Sequence, residues 1–256
     1  MPSVAGYLRT VDARIIASLL AYQEANSIAG NLCEIGVHHG RLFFMLALAR
    51  QAGERALAVD LFEDDAINYP SHWHRGRDHA LVENARRLNI PLQNEEIFKT
   101  SSLVINDRDI LERAGGPIRL FSVDGGHNYQ CVENDLKLAT RTISDRGIIV
   151  VDDFFNRDWP EVTFATLDFI RGTAEVVPFL LSSGKLFLTT AAMASAYQDA
   201  ARKANRDMES NVVGFLDHHV YFMRFGYYRR ILDLVGDIAK RYAGRVKARV
   251  VNSSVK

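Results

Sequence analysis

The sequence predicts a doubly wound α/β protein on a mostly parallel sheet, and three observations predict it. Strand-like and helix-like segments alternate from about residue 30 to about residue 190. Runs such as Gly147-Ile-Ile-Val-Val-Asp152 are apolar without alternation, as strands covered on both faces require. The chain has 256 residues, of which 48% are hydrophobic and 24% charged, enough to bury a large core and ordinary for a globular protein.

The elements follow in order. Ile15, Ile16, Leu19, Leu20 and Tyr22 recur at helical spacing within residues 11–27. Gly30-Asn-Leu-Cys-Glu-Ile-Gly36 reads as a buried strand ending in a turn, and Arg41 to Arg50 as the helix after it. Ala56-Leu-Ala-Val-Asp60 is a second strand, Asp78 to Asn89 a helix, and Glu96-Ile-Phe-Lys99 a third strand. Ile118 to Asp124 is a strand, Val132 to Thr142 a helix, Gly147 to Asp152 a strand and Thr163 to Arg171 a helix. Glu175-Val-Val-Pro-Phe and Lys185-Leu-Phe-Leu-Thr-Thr190 complete seven strands, joined by the turn Ser182-Ser-Gly184.

Residues 191–246 read as helices, with Tyr221, Phe222, Phe225, Tyr227 and Tyr228 concentrated in one segment. The expected organisation is a helical segment over 1–29, a catalytic domain over 30–190 and a helical extension over 191–256. This tail either covers the active site, joins two copies as a homodimer, or packs on its own domain. Residues 252–256 are expected to fray.

Composition excludes several classes. Lys plus Arg and Asp plus Glu both number 31, so the basic excess of a phosphate-neutralising nucleic-acid binder is missing. Two cysteines, Cys33 and Cys131, make neither a disulfide framework nor a four-cysteine zinc site. No signal peptide and no apolar run near the ~20 residues of a membrane span is seen, so the expectation is a cytoplasmic protein with no membrane partner.

Two groups of residues carry chemistry. Glu34-Ile-Gly36-Val-His-His-Gly40 lies where the first strand turns into its helix, at the strand ends where open sheets bind ligands. Gly36 permits a tight turn and a close ligand, and Gly40 permits close packing at the helix start. The pattern is not the G-x-G-x-x-G of dinucleotide enzymes, and the acid before the glycine suits a cationic or hydroxyl-bearing ligand better than a pyrophosphate. Asp60, at the second strand's end, can accept hydrogen bonds from a ribose diol. Further along, Asp124, Asp152 and Asp153 end two strands that open onto one rim. Three such carboxylates raise one another's pKa unless a cation joins them, and an all-oxygen set favours Mg²⁺, Mn²⁺ or Ca²⁺. His127, three residues past Asp124, can face the same pocket and take a proton.

The order Glu34, Gly36, Gly40, Asp60 resembles the S-adenosylmethionine-binding half of class I methyltransferases, which are Rossmann-like. Asp124-Gly-Gly-His-Asn-Tyr129 with Asp135-Leu136 resembles the D-G-x-H-x-Y…D-L stretch of a bacterial family of that class. Val59-Asp-Leu-Phe-Glu63 and Arg146-Gly-Ile-Ile-Val-Val-Asp-Asp153 also fit, the latter with Arg146 for a glycine and Asp152 for a common His. The resemblance spans about residues 30–155. It implies S-adenosylmethionine as cofactor, held by Glu34, Gly36, Gly40, Asp60 and Asp124, with Ser101 and Ser102 at the adenine. Similarity to Mg²⁺-dependent O-methyltransferases of catechols and macrolide sugars implies Mg²⁺ on Asp124, Asp152 and Asp153, with His127 as base. The acceptor would then be a small-molecule hydroxyl, a sugar or a phenol.

A nicotinamide-dependent oxidoreductase and a non-catalytic binding module remain rival readings at this stage. The loop holding His72, Trp73 and His74 is either a substrate-side lid or surface, and no role follows for His38 and His39.

Overall fold

The computed structural model describes residues 4–62 and 78–226. The loop with His72, Trp73 and His74, together with Glu63, Tyr227, Tyr228 and the expected frayed end, lies outside these residues. The described elements are α1 (Thr10–Ala25), β1 (Asn31–Ile35), α2 (Phe43–Leu48), β2 (Ala56–Asp60), α3 (Asp78–Arg87), β3 (Ile97–Lys99), α4 (Asp107–Ala114), β4 (Ile118–Val123), α5 (Tyr129–Thr142), β5 (Ile143–Val151), α6 (Pro160–Gly172), β6 (Val177–Leu181), β7 (Leu186–Thr189), α7 (Ala191–Ala204), β8 (Met208–Phe215) and β9 (His218–Phe225).

One sheet runs through the molecule in the order β3-β2-β1-β4-β5-β7-β6-β9-β8. β1 pairs in parallel with both β2 and β4, so the strand order reverses direction there and opens a crevice at the strand ends. β2–β3 and β4–β5 are also parallel, whereas β7 lies antiparallel between β5 and β6. All nine residues of β1 and β2 before Asp60 are buried, which accounts for their unbroken apolar run.

Side chains leave the sheet on alternate faces. One face buries Leu32, Leu120, Ile148, Val150 and Phe187 against Ile15, Ile16 and Leu19 of α1 and Phe43 and Phe44 of α2. The other buries Cys33, Ile35, Phe121, Ile149, Val151 and Leu188 against Ile110 of α4, Leu136 of α5 and Val162 of α6. Below the sheet, Arg119 joins layers. Its guanidinium donates to Glu54 at 2.8 Å through two nitrogens, to Gln23 of α1 at 2.9 Å and to the Ala49 carbonyl at 2.7 Å. Such a buried cation is tolerable because each of its three nitrogens reaches an acceptor and one of those acceptors is a carboxylate.

The C-terminal expectation is corrected by the structure. α7 forms over Ala191–Ala204, but residues 208–225 are a β-hairpin, not helix. Val212, Val213, Val220, Tyr221 and Phe222 favour a pleated surface, and Phe215 pairs with His218 across the two-residue turn at Leu216 and Asp217. β9 then pairs in parallel with β6, extending seven strands to nine. Tyr221, Phe222 and Phe225 are therefore sheet residues and offer no helical dimer face. Helix α4, which the sequence did not announce, forms on an Asn106 cap and ends at Gly115 in the left-handed region. Among the described residues, no helix is long and apolar enough to cross a membrane.

Replacing Glu54 by Ala leaves the Arg119 charge buried without its partner. Denaturant unfolding should then show a loss of about 3–5 kcal/mol.

Candidate active site at the carboxyl rim of the sheet

The turn after β1 is held by the chain itself. Gly36 has φ +84°, and a Cβ there would lie 1.6 Å from the Asp124 carbonyl oxygen. The close approach of the β4 exit is by itself enough to demand a glycine in this tight turn. Gly40 has φ +90°, and its Cβ would meet Phe44 and Leu81 at 2.5 and 2.6 Å, so tight packing at the helix start holds as expected. His38 also has a positive φ, and the rings of His38 and His39 lie 4.0 Å apart.

Asp60 closes this loop. Its Oδ2 accepts the His38 amide at 2.7 Å and its Oδ1 the Phe62 amide at 2.6 Å. Burial raises its pKa, and these amides oppose the rise. Glu34 is buried on β1, and its Oε2 has no hydrogen-bond partner. Burial pushes its carboxyl well above the usual range, with Lys185 pulling the other way. Ser101 caps the single turn Ser102–Val104 by accepting the Leu103 amide, and the Ser102 carbonyl accepts from the Asn134 amide side chain at 2.8 Å.

The second half of the site is the exits of β4 and β5. Asp124 and Asp152 leave neighbouring parallel strands, so their side chains meet as the sequence predicted. Burial drives the Asp124 carboxyl well up, and the adjacent Asp152 adds to this. The His127 Nε2 lies 2.9 Å from Asp153 Oδ2 and 4.0 Å from Asp124 Oδ1. Trp159 stacks on the His127 ring at 4.5 Å, and Asn156 donates to Asp153 at 2.9 Å. Burial would raise the Asp153 pKa, but the hydrogen bonds with His127 and Asn156 outweigh it and hold it low. Asp153 has φ +52° and Phe155 φ +63°, costly conformations for these residues that the packed surroundings impose.

Asp152 faces Asp124 but takes a different partner from Asp153. Its Oδ2 lies 2.5 Å from the Lys185 Nζ, and its Oδ1 accepts the Asp153 amide at 2.8 Å. Lys185 precedes β7 and is 1% exposed. Burial would lower its pKa, yet Asp152 and Asp124 raise it above the ordinary value. From α1, Asp12 completes the cluster through a hydrogen bond from the Ser182 hydroxyl. Among the described residues, the potential metal ligands brought within 4.8 Å of one another are Asp124, His127 and Asp153.

Lys185, Asp12 and Trp159 were not singled out in the sequence. Asp12 carried a signal, since it sits three and four residues before Ile15 and Ile16 on the buried stripe of α1. Lys185 carried another, because strand-end acids that converge need a cation.

Residues 33–154 match the family model described as a methyltransferase domain. The match takes in a little under half of the chain and marks these residues as a methyltransferase domain. The sheet agrees, with the β3-β2-β1-β4-β5-β7-β6 order and its antiparallel β7. Among solved structures, the chain is similar to the O-methyltransferase NovP, with a TM-score of 0.55 and 14% identity over 70% of this chain and 79% of that one. It is also similar to CalS11, a TDP-rhamnose 3'-O-methyltransferase of calicheamicin biosynthesis, with a TM-score of 0.52 and 18% identity over 72% and 82% of the two chains. At those identities the likeness is one of fold. An uncharacterized protein, R132, of Acanthamoeba polyphaga mimivirus is 32% identical over 88 residues, which are 34% of this chain and 40% of that protein's length.

Asp135 supports the rim from beneath. A Cβ on Gly125 would lie 2.6 Å from its Oδ2. Burial raises its carboxyl from 3.8 to about 7, with Ser102 and Asn134 opposing. Between those values the folded chain keeps a proton that the unfolded chain has released, so this group's contribution to stability is lost as pH rises towards 7. Asp135→Asn should therefore be more stable than the parent at pH 8, with the gap closing towards pH 4 in denaturant unfolding. A gap that ignores pH would show that Asp135 does not titrate in this window.

Proposed function

We propose that the methyltransferase domain moves a methyl group from S-adenosylmethionine to a hydroxyl oxygen of a small-molecule acceptor, a sugar or a phenol. The observation that carries this is the His127–Asp153 pair at 2.9 Å, on the rim that the turn at Gly36 also borders. The likeness in fold to NovP and CalS11, both O-methyltransferases, supports an oxygen acceptor.

The residues fit the cofactor. Glu34 Oε2 is a buried acceptor lacking a donor, a group that costs free energy until an ammonium or hydroxyl reaches it. Asp60 spends one lone pair of each oxygen on the His38 and Phe62 amides, which leaves lone pairs for ribose hydroxyls. Gly36, Gly40 and Asp124 shape the crevice between them, and the resemblance assigns Ser101 and Ser102 to the adenine. S-adenosylmethionine supplies a methyl already activated on a sulfonium.

The chain's own part is alignment and proton removal. Asp153 and Trp159 fix the His127 ring by a hydrogen bond and by stacking. With Nε2 paired to Asp153, Nδ1 is the nitrogen that takes the acceptor's proton. Asp153 then faces the imidazolium that forms and stabilises it.

The Mg²⁺ triad implied by the resemblance does not fit these residues. Both Asp152 oxygens already have partners, one of them an ammonium. No step is therefore assigned to a metal.

S-adenosylhomocysteine should bind the wild-type protein in a calorimeter, and NAD should not. Radiolabelled methyl transfer to a panel of sugar nucleotides and catechols should fall about 10²–10⁴-fold in His127→Ala. Asp153→Ala should lose turnover too, while both variants keep their affinity for S-adenosylhomocysteine. Undiminished transfer by His127→Ala, or no binding of the homocysteine by the parent, would end this reading.

A further inference from the structure

The convergence of acids at the β4 and β5 exits poses a charge problem. Asp124 and Asp152 leave adjacent strands on one face, Glu34 lies on β1 on the same face, and Asp12 approaches from α1. The resemblance solves this problem with a divalent cation from solution. In this chain the β6–β7 turn delivers a cation of its own. Lys185 is 1% exposed, its Nζ is 2.5 Å from Asp152 Oδ2, and Asp124, Asp12 and Glu34 all lie within its electrostatic reach.

The turn is built to hold it there. Ser182 Oγ donates to Asp12 and accepts the Lys185 amide at 3.2 Å, and the Ser182 amide donates to the Lys185 carbonyl at 2.9 Å. Arg9 donates to the Ser183 carbonyl, and the Gly184 carbonyl accepts the Phe154 amide at 3.1 Å. The turn is therefore fastened to α1 on one side and to the segment after Asp153 on the other.

We propose that Lys185 is the resident cation of this rim, occupying the place at Asp152 that a divalent metal would take, so that the site works without one. This rests on the methyl-transfer reading of the rim but is measured apart from turnover. A cation such as Mg²⁺ needs close, near-octahedral oxygens at about 2.0–2.1 Å. The Lys185 ammonium, 2.5 Å from Asp152 Oδ2, stands where such an ion would have to sit, and Oδ1 already accepts the Asp153 amide. The ammonium also repels a second positive charge at the same carboxylates. That leaves Asp124, His127 and Asp153, where a metal would first have to break the His127–Asp153 hydrogen bond. Lys185 is thus a positioning residue. It fixes Asp152 and balances charge, and it does not meet the acceptor.

The test is Mn²⁺ binding followed by electron paramagnetic resonance on the full chain, with S-adenosylhomocysteine present and absent. The wild-type protein should leave Mn²⁺ free up to millimolar concentration, and methyl transfer should be unchanged after exhaustive chelation. Lys185→Met removes the charge and frees Asp152, and should bind Mn²⁺ at least tenfold more tightly than the parent. Lys185→Arg keeps the charge and should not gain Mn²⁺ binding. Stoichiometric Mn²⁺ on the wild type below about 100 μM, or transfer that stops on chelation and returns with Mg²⁺ or Mn²⁺, would overturn the proposal. So would a folded Lys185→Met with no gain. Should Lys185→Met fail to fold, the wild-type titration and Lys185→Arg still decide. A protein that binds S-adenosylhomocysteine and ignores Mn²⁺ upholds the proposal even if no acceptor is methylated.

Discussion

The contact between Lys185 and Asp152 organises the functional edge of this protein. An ammonium and a carboxylate removed from water must find each other, and the second oxygen of the carboxylate must find a donor, because burial is otherwise costly. Asp152 meets that demand with the Asp153 amide, and the turn carrying Lys185 is tied to Asp12 and Arg9. Because Lys185 claims Asp152, Asp153 is left to His127. Charge balance in the interior thus divides two adjacent aspartates between two tasks.

The same edge concentrates backbone that bulky residues adopt only under constraint. His38 and Phe62 follow β1 and β2, and Asp153 and Phe155 follow β5, all with positive φ. Each such conformation costs on the order of 1–3 kcal/mol and survives because surrounding contacts over-determine it. Asp60 supplies the constraint for the first pair through the His38 and Phe62 amides. Asn156 and His127 supply it at Asp153. A rim whose loops are fixed in this way is preorganised, and alignment of donor and acceptor asks little further ordering.

Much of the fold was legible because burial leaves a periodic trace. β1, β2, β4 and β5 are covered on both faces and read as continuous apolar runs, and the acids that end them mark the rim. The segment 208–225 reads as helix with the rest of 191–246, its aromatic residues concentrated in one stretch. As strands, β8 and β9 place Val213 and Val220 against the α6 side of the sheet, and only pairing with β6 settles which period applies. Gly36 was legible as a tight turn, but the reason for the glycine, the Asp124 carbonyl, lies almost ninety residues away in the chain.

By itself the sequence determined the doubly wound sheet, the succession of its strands β1 to β7, and the arrival of Asp124, His127, Asp152 and Asp153 at one end of it. Parallel strands that leave the sheet together must bring their next residues together, so that much follows from local pattern. Which atoms pair there was decided only by the tertiary structure. Lys185 and Asp12 come from a strand entry and a helix far from the acids in sequence, and a charge chooses its partner by distance through space.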